Sequence, residues 1–253
     1  MALLPTLLFL AVVALATAAQ SLTGFAFALI LVGLAGVFEL APLPDAVNVA
    51  TVLSLASAFV ALRGARKWID LQMLRDTSMG SLLGVVAGVL LLGWLSTNVV
   101  ALLRVLLGLT VIGCALVVFL RSEALAQRSP RLSFAATGLL SGVLGGMFAS
   151  SGPPLVWQFY RQPLALLAIR ETLVATLAVG GVMRLLLVVP AGGFSRNALM
   201  LSLLAAPLVM GLTWLLRRHP PAWSPLAIRK LVCVLLLLTG AGLVAPALRA
   251  ALP

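Results

Sequence analysis

The chain has 253 residues, of which 62% are hydrophobic and 9% charged, and its mean hydropathy is +1.20. This composition excludes a separate soluble domain, and its apolar runs exceed the ~20 residues that cross a bilayer, so it predicts an all-α polytopic membrane protein. The formal net charge of +11 comes from basic residues that lie mainly in short loops. There they predict membrane orientation and not nucleic-acid binding.

The first apolar run covers residues 1–38 and would be about 57 Å long as one helix, which is too long for a single crossing. We expect a break at a polar set within it, formed by Gln20, Ser21, Thr23 and Gly24. Two full spans and a re-entrant pair of half-helices both remain open for this run. The next apolar runs cover residues 42–62, 77–95 and 99–120.

A polar linker at residues 121–131 separates these runs from a second long one at 132–160. The second long run is interrupted by Ser150, Ser151, Gly152, Pro153 and Pro154, and three more runs follow it, at 165–190, 197–216 and 226–248. The repeated order predicts one membrane domain over 1–253, with repeats at about 1–120 and 132–253. An offset of 122 residues aligns Gly24 with Gly146 and Asn48 with Arg170.

Basic residues flank two inter-span connections and the linker, which predicts that these three segments are cytoplasmic. They are Arg63, Arg66, Lys67 and Arg75; Arg217, Arg218, Arg229 and Lys230; and Arg121, Arg128 and Arg131. Loops 39–45, 96–98 and 191–196 then lie outside. The first interrupted run would begin and end outside and the second inside. We therefore predict two inverted repeats, each a broken or re-entrant segment plus three transmembrane helices, as in many secondary transporters.

A helix broken at membrane depth leaves backbone N–H groups free and has a partial positive charge at its new start, which favours an anionic ligand. In the second break, Gly145, Gly146 and Gly152 would allow close backbone approach, Ser150 and Ser151 would donate hydroxyls, and Pro153 suits a first helical turn. Gln20, Ser21, Thr23 and Gly24 would form the matching half. Close helix packing by small residues is the alternative.

Three ionisable residues in the span at 165–190 are candidates for function or anchoring. Arg170 either pairs with a bound anion or extends to the cytoplasmic surface. Glu171 is the candidate for ion coupling, since no span has a clearly central carboxylate. Arg184 lies six residues before Pro190, and we expect it to reach the outer interface in a structural role.

Catalytic, metal and cofactor chemistry has no support in the sequence. Walker A, G-x-S-x-G and H-E-x-x-H motifs are absent, which argues against an enzyme. Cys114 and Cys233 lie inside apolar runs without metal-ligand spacing, so we predict neither a disulfide, a metal site nor a cofactor.

Two pairs of segments resemble the TauE/SafE family of anion exporters, and the resemblance covers nearly the whole chain. They are QSLTGFAFA followed by PLPDAVNVAT, and SGVLGGMFASSGPPL followed by PLALLAIRETL. The resemblance implies proton-driven transport of sulfite or a small organosulfonate such as sulfoacetate. It also implies site roles for Gly24, Asn48, Thr51, Gly145, Gly146, Ser151, Gly152, Pro153 and Arg170.

The leading hypothesis is a secondary transporter that moves a small anion across the bacterial cytoplasmic (inner) membrane by alternating access. Its expected partners are the anion, the lipid bilayer and protons. A passive anion channel and a non-transporting membrane scaffold are the alternatives. The sequence leaves open whether the chain is a monomer or a homodimer.

Overall fold

The computed structural model describes residues 3–119, 125–219 and 225–251, and its regular elements within these ranges are helical. The α-helices are α1 (Leu3–Thr23), α2 (Phe27–Val37), α3 (Leu43–Ala61), α4 (Leu71–Asn98), α5 (Val100–Phe119), α6 (Arg131–Phe148), α7 (Gly152–Tyr160), α8 (Leu166–Val188), α9 (Arg196–Arg218) and α10 (Pro225–Ala251). Among the described residues, six helices are long and apolar enough to cross a membrane: α1, α3, α4, α6, α8 and α9. The predicted polytopic helical fold is confirmed.

Both long apolar runs are interrupted, as predicted, but Gln20, Ser21 and Thr23 lie in the last turn of α1, so that only Gly24 of the predicted polar set lies in the first break. Residues 24–26 separate α1 from α2, and residues 149–151 separate α6 from α7. Gly152, Pro153 and Pro154 were expected to form part of the interruption, but they begin α7. Pro153 lies in the first turn of this helix, as predicted. Gly24 at φ 88° and Ala149 at φ 56° share the left-handed conformation. They are 125 positions apart, and the repeat alignment at an offset of 122 stays a prediction.

The helices α6 and α7 form a hairpin whose two ends lie together. The Gln158 Nε2 atom donates a hydrogen bond to Ser133 Oγ at 3.0 Å, and Gln162 Nε2 donates to Ser129 Oγ at 3.0 Å. The last turn of α7 therefore lies beside the first residues of α6. The run 132–160 begins and ends at the same end of the bundle, as predicted.

The basic segments meet at this end, which we call the basic end: residues 61–76, the described linker 125–131, the start of α8 and the end of α9. Arg128 donates two hydrogen bonds to the Asp70 carboxylate, at 2.7 and 3.1 Å, and the Asp70 N–H donates to Thr172 Oγ1 at 2.9 Å. Burial raises the pKa of Asp70, but hydrogen bonds from Arg128 and from the Met73 N–H outweigh burial and hold the pKa below its usual range.

The remaining loops meet at the opposite end. Asn48 Nδ2 donates to the Gly193 carbonyl at 2.8 Å, and Arg104 pairs with Glu39 at 3.3 Å. The loop between α2 and α3, the start of α5 and the loop between α8 and α9 thus share this end. The contacts agree with the grouping of loops predicted from the positions of the charges.

Glycines at every fourth position bring α4 and α6 into backbone contact. A Cβ atom on Gly142 would lie 2.4 Å from the Ser81 carbonyl oxygen, and one on Gly146 would lie 2.5 Å from that of Val85. Neither backbone can move away without separating the helices. The contacting glycines are Gly80, Gly84 and Gly88 on α4, and Gly138, Gly142 and Gly146 on α6. Close packing, the alternative role considered for the glycines, therefore applies to Gly146.

Candidate anion site

A small cavity of about 30 Å³ lies between α1, α2, α3, α8 and the second break. Of the residues predicted from the sequence, the structure brings six to its wall: Gln20, Thr51, Gly145, Ser150, Ser151 and Gly152. Their roles in binding stay predictions.

The cavity wall includes Arg184, whose side chain is among the largest that are fully buried, at 1% exposure. Its Nε atom donates to the Gly146 carbonyl at 3.0 Å, and its Nη1 atom donates to Asn48 Oδ1 at 2.9 Å and Thr51 Oγ1 at 3.1 Å. The expectation that Arg184 reaches the outer interface is wrong. Neutral oxygens from α3 and α6 hold the guanidinium inside the bundle.

Each acceptor for Arg184 is available for a local reason. Gly146 lies in the last turn of α6, and carbonyls in a last turn lack an intrahelical donor because the helix ends. Thr51 donates its own proton to the Val47 carbonyl at 2.8 Å, which leaves its oxygen free to accept. Asn48 is oriented by its hydrogen bond to Gly193, so its amide oxygen faces α8. The break in α6 and the buried arginine therefore form one structural unit.

The charge of Arg184 has no carboxylate partner in the described part of the chain. A guanidinium has five N–H donors, and the hydrogen bonds to Gly146, Asn48 and Thr51 use those on Nε and Nη1. The two donors on Nη2 make no hydrogen bond with any described residue. They are available to a ligand in the cavity.

The second break adds further donors next to this cavity. Ser150 and Ser151 are buried, and neither hydroxyl makes a hydrogen bond within the described residues, although both side chains line the cavity. The start of α7 offers fewer backbone donors than the sequence analysis assumed, because Pro153 and Pro154 have no N–H. Donation at this break therefore depends on the two serines and the Gly152 amide.

Arg170 lies at the first break and does not line the cavity. Its Cγ atom would be 3.1 Å from a Cβ atom on Gly24, and its Nε atom is buried without a hydrogen-bond partner in the described residues. The Tyr160 hydroxyl donates to the Thr23 carbonyl at 3.2 Å nearby. Ser21, also outside the cavity wall, is buried with its Oγ atom unpaired among the described residues. Of the predicted first half-site, Ser21, Thr23 and Gly24 therefore lie at the first break with Arg170, whereas Gln20 lines the cavity.

Glu171 is 2% exposed and lies at the basic end, not in the cavity. Arg217 of α9 donates a hydrogen bond to its Oε1 atom and another to the Ala61 carbonyl at the end of α3. The Oε2 atom is buried and has no partner among the described residues. The Arg217 guanidinium therefore connects the end of α9 to the start of α8 and to the end of α3.

The sequence reasoning missed Arg184 as a site residue, together with Ser54, Gly180 and Gly181 in the cavity wall. A signal for Arg184 was present, since an arginine inside an apolar span is costly unless it has a partner or a function. Its distance from Pro190 suggested an interfacial anchor instead. The folded position of α3 decided between these interpretations.

A bundle with six helices long and apolar enough to cross a membrane defines a multi-pass membrane protein. The family described as sulfite exporter TauE/SafE matches residues 8–243, and the chain belongs to this family. A curated relative from Cupriavidus necator, named "Probable sulfite/organosulfonate exporter TauE", is 36% identical over 248 residues, which are 98% of this chain and 97% of the relative. No solved structure matches the chain significantly.

Proposed function

We propose that the protein is a secondary transporter that moves sulfite or a small organosulfonate across the bacterial cytoplasmic membrane. The observation that carries the proposal is the buried Arg184, whose hydrogen-bond partners are all neutral. A buried charge is costly unless an opposite charge compensates it. A bound anion would supply that charge, and the name of the relative from C. necator supports a sulfur oxyanion.

Alternating access by inverted repeats is the mechanism we propose. The two breaks support it, because the first lies beside Arg170 and Tyr160 towards the basic end. The second follows Gly146, whose carbonyl accepts a hydrogen bond from Arg184. Arg184 also bonds Asn48, which donates to Gly193 at the opposite end. Contacts between helices also pair by repeat position: α3 packs on α9 as α8 packs on α4, and α2 packs on α10 as α7 packs on α5. In such folds the substrate site lies between the repeats.

Glu171 is our candidate for proton coupling. Protonation would weaken its ion pair with Arg217, which also binds the end of α3. The basic end would then loosen when a proton binds. We expect Glu171→Gln to retain anion exchange in proteoliposomes but to lose accumulation driven by a pH gradient. Unchanged accumulation would exclude Glu171 as the proton carrier.

Sulfite efflux from proteoliposomes tests the transport proposal. The wild-type protein should give saturable efflux, whereas a channel would give flux that rises linearly with concentration, and a scaffold protein would give none. Ser151→Leu should abolish efflux by filling the cavity. Ser96→Leu, at an exposed hydroxyl that bonds the Gly93 carbonyl within α4, is the matched control and should transport normally. Normal efflux through Ser151→Leu would contradict the assigned site.

Arg170→Gln tests the first break separately. If Arg170 guides the anion at the basic end, this variant should lower the transport rate while the protein still binds anions. Normal transport by Arg170→Gln would leave Arg170 with a packing role only.

A further inference from the structure

Three helices that end at the basic end, α3, α7 and α9, each have an exposed aromatic residue in the last turn and an arginine four positions after it. Residues at this spacing are neighbours on a helix. Each guanidinium lies over the preceding ring, with its Cζ atom 4.3–5.4 Å from the ring centroid. The three pairs, which we call the aromatic–arginine pairs, are Phe59 with Arg63, Trp157 with Arg161, and Trp214 with Arg218.

The hydrogen-bond donors of the three arginines are unused. None of these guanidinium groups forms an ion pair or donates a hydrogen bond to a residue in the described ranges. Arg217, next to Arg218 in the chain, differs, because it binds both the Ala61 carbonyl and the Glu171 carboxylate. A cation–π contact uses the charge of a guanidinium and none of its five N–H donors. The aromatic rings therefore hold the three arginines in position with their donors free.

The aromatic–arginine pairs lie where apolar helices meet the basic end. Their rings belong to residues that are 58%, 44% and 54% exposed, on the outer surface of the bundle. Aromatic rings at this level of a membrane protein lie among the lipid headgroups, and a long basic side chain extends past them to the polar region. The phosphate of a phospholipid lies at the same level. A guanidinium binds phosphate through two parallel N–H···O hydrogen bonds.

We infer that each aromatic–arginine pair binds the headgroup of an anionic phospholipid, with the phosphate on the arginine and the glycerol and first acyl carbons against the ring. A zwitterionic headgroup brings its own positive charge to the arginine, whereas an anionic headgroup brings none. The opposite end lacks this arrangement in its described part, because Arg104 is paired with Glu39 and Arg196 has no ring contact. The inference needs a membrane protein and does not depend on the substrate.

Native mass spectrometry and thermal stabilisation of the detergent-purified protein test this inference. Phosphatidylglycerol, which is anionic, is compared with phosphatidylcholine that has the same acyl chains. A basic residue at the membrane surface improves binding to an anionic lipid roughly fivefold, so we expect a Kd for phosphatidylglycerol roughly fivefold lower than that for phosphatidylcholine. The protein should retain one phosphatidylglycerol molecule for each aromatic–arginine pair under conditions that remove phosphatidylcholine.

Substitutions in one pair separate its two parts. Arg161→Gln removes the cation and keeps Trp157, and it should retain one phosphatidylglycerol molecule fewer than the wild-type protein. Trp157→Ala keeps the charge but removes the ring that positions it, and it should lose the same molecule. Arg196→Gln is the matched control, because Arg196 is exposed and has no ion pair with a described residue. This variant should retain as much phosphatidylglycerol as the wild-type protein.

Three results would overturn the inference. The first is equal binding of the two lipids, and the second is an equal loss of phosphatidylglycerol from Arg196→Gln and Arg161→Gln, since general charge would then explain the binding. The third is equal stabilisation by glycerol phosphate, which has the headgroup phosphate without acyl chains and would assign the pairs to a soluble anion. None of these results bears on anion transport, which the efflux assay measures independently.

Discussion

Substitution of Arg184 by glutamine tests whether the buried guanidinium binds the transported anion. Two N–H donors on its Nη2 atom are unused in the described structure, and each charge-assisted hydrogen bond contributes about 1.5–3 kcal/mol. Two such bonds give about 3–6 kcal/mol. We therefore expect Arg184→Gln to weaken anion binding roughly 10²- to 10⁴-fold, at 1.4 kcal/mol for each factor of ten.

The stability of the unliganded protein should change much less than its affinity. Without the arginine, the acceptors on Gly146, Asn48 and Thr51 lose a donor, and an unsatisfied buried group costs about 1–3 kcal/mol. Removal of an uncompensated buried charge recovers several kcal/mol. The two effects oppose each other, so the melting temperature without ligand is a direct check that the variant folds.

Thermal stabilisation against anion concentration gives the Kd of each variant. Arg104→Gln is the matched control, because this arginine pairs with Glu39 at the opposite end and 43% of its side chain is exposed. It should bind anions as the wild-type protein does. If Arg184→Gln folds and its Kd lies within threefold of the wild-type value, Arg184 does not bind the anion.

Three further substitutions test the fold around the site. Gly142→Ala should lower the melting temperature markedly, because its Cβ atom would lie 2.4 Å from a backbone oxygen of α4. Gly113→Ala is the control and should leave the melting temperature unchanged, because its Cβ atom would meet no atom within 4 Å. Equal effects of the two substitutions would contradict the close packing of α4 and α6. Gly24→Ala should reduce transport more than Gly64→Ala does. Both glycines have a positive φ, but only Gly24 lies against an arginine side chain. Equal effects on transport would mean that backbone strain alone is responsible. Asp70→Asn should destabilise the protein by about 1–2 kcal/mol at neutral pH. Because the folded-state pKa of Asp70 is lowered, its contribution to stability is complete above the unfolded pKa near 3.9 and is lost as the pH falls through the folded-state pKa. The melting temperatures of the wild-type protein and Asp70→Asn should therefore converge on acidification. A difference that does not narrow would refute this.

Local composition was sufficient to predict the membrane fold and its two interruptions. Apolar runs longer than one crossing must break, and Gly24 lies in the first break and Ser150 and Ser151 in the second. The charges in the loops likewise predicted which loops share an end, because Arg and Lys are enriched in the loops on one side of a membrane protein. Such features depend on residues that are neighbours in the chain.

The identity of the buried cation required the tertiary structure. In the sequence, Arg184 is six residues from a proline and has the pattern of an interfacial anchor. Its acceptors are Gly146, 38 positions away, and Asn48, 136 positions away. Whether a charge is compensated, solvated or free to bind a ligand depends on what packs against it, and no local pattern specifies contacts at that separation.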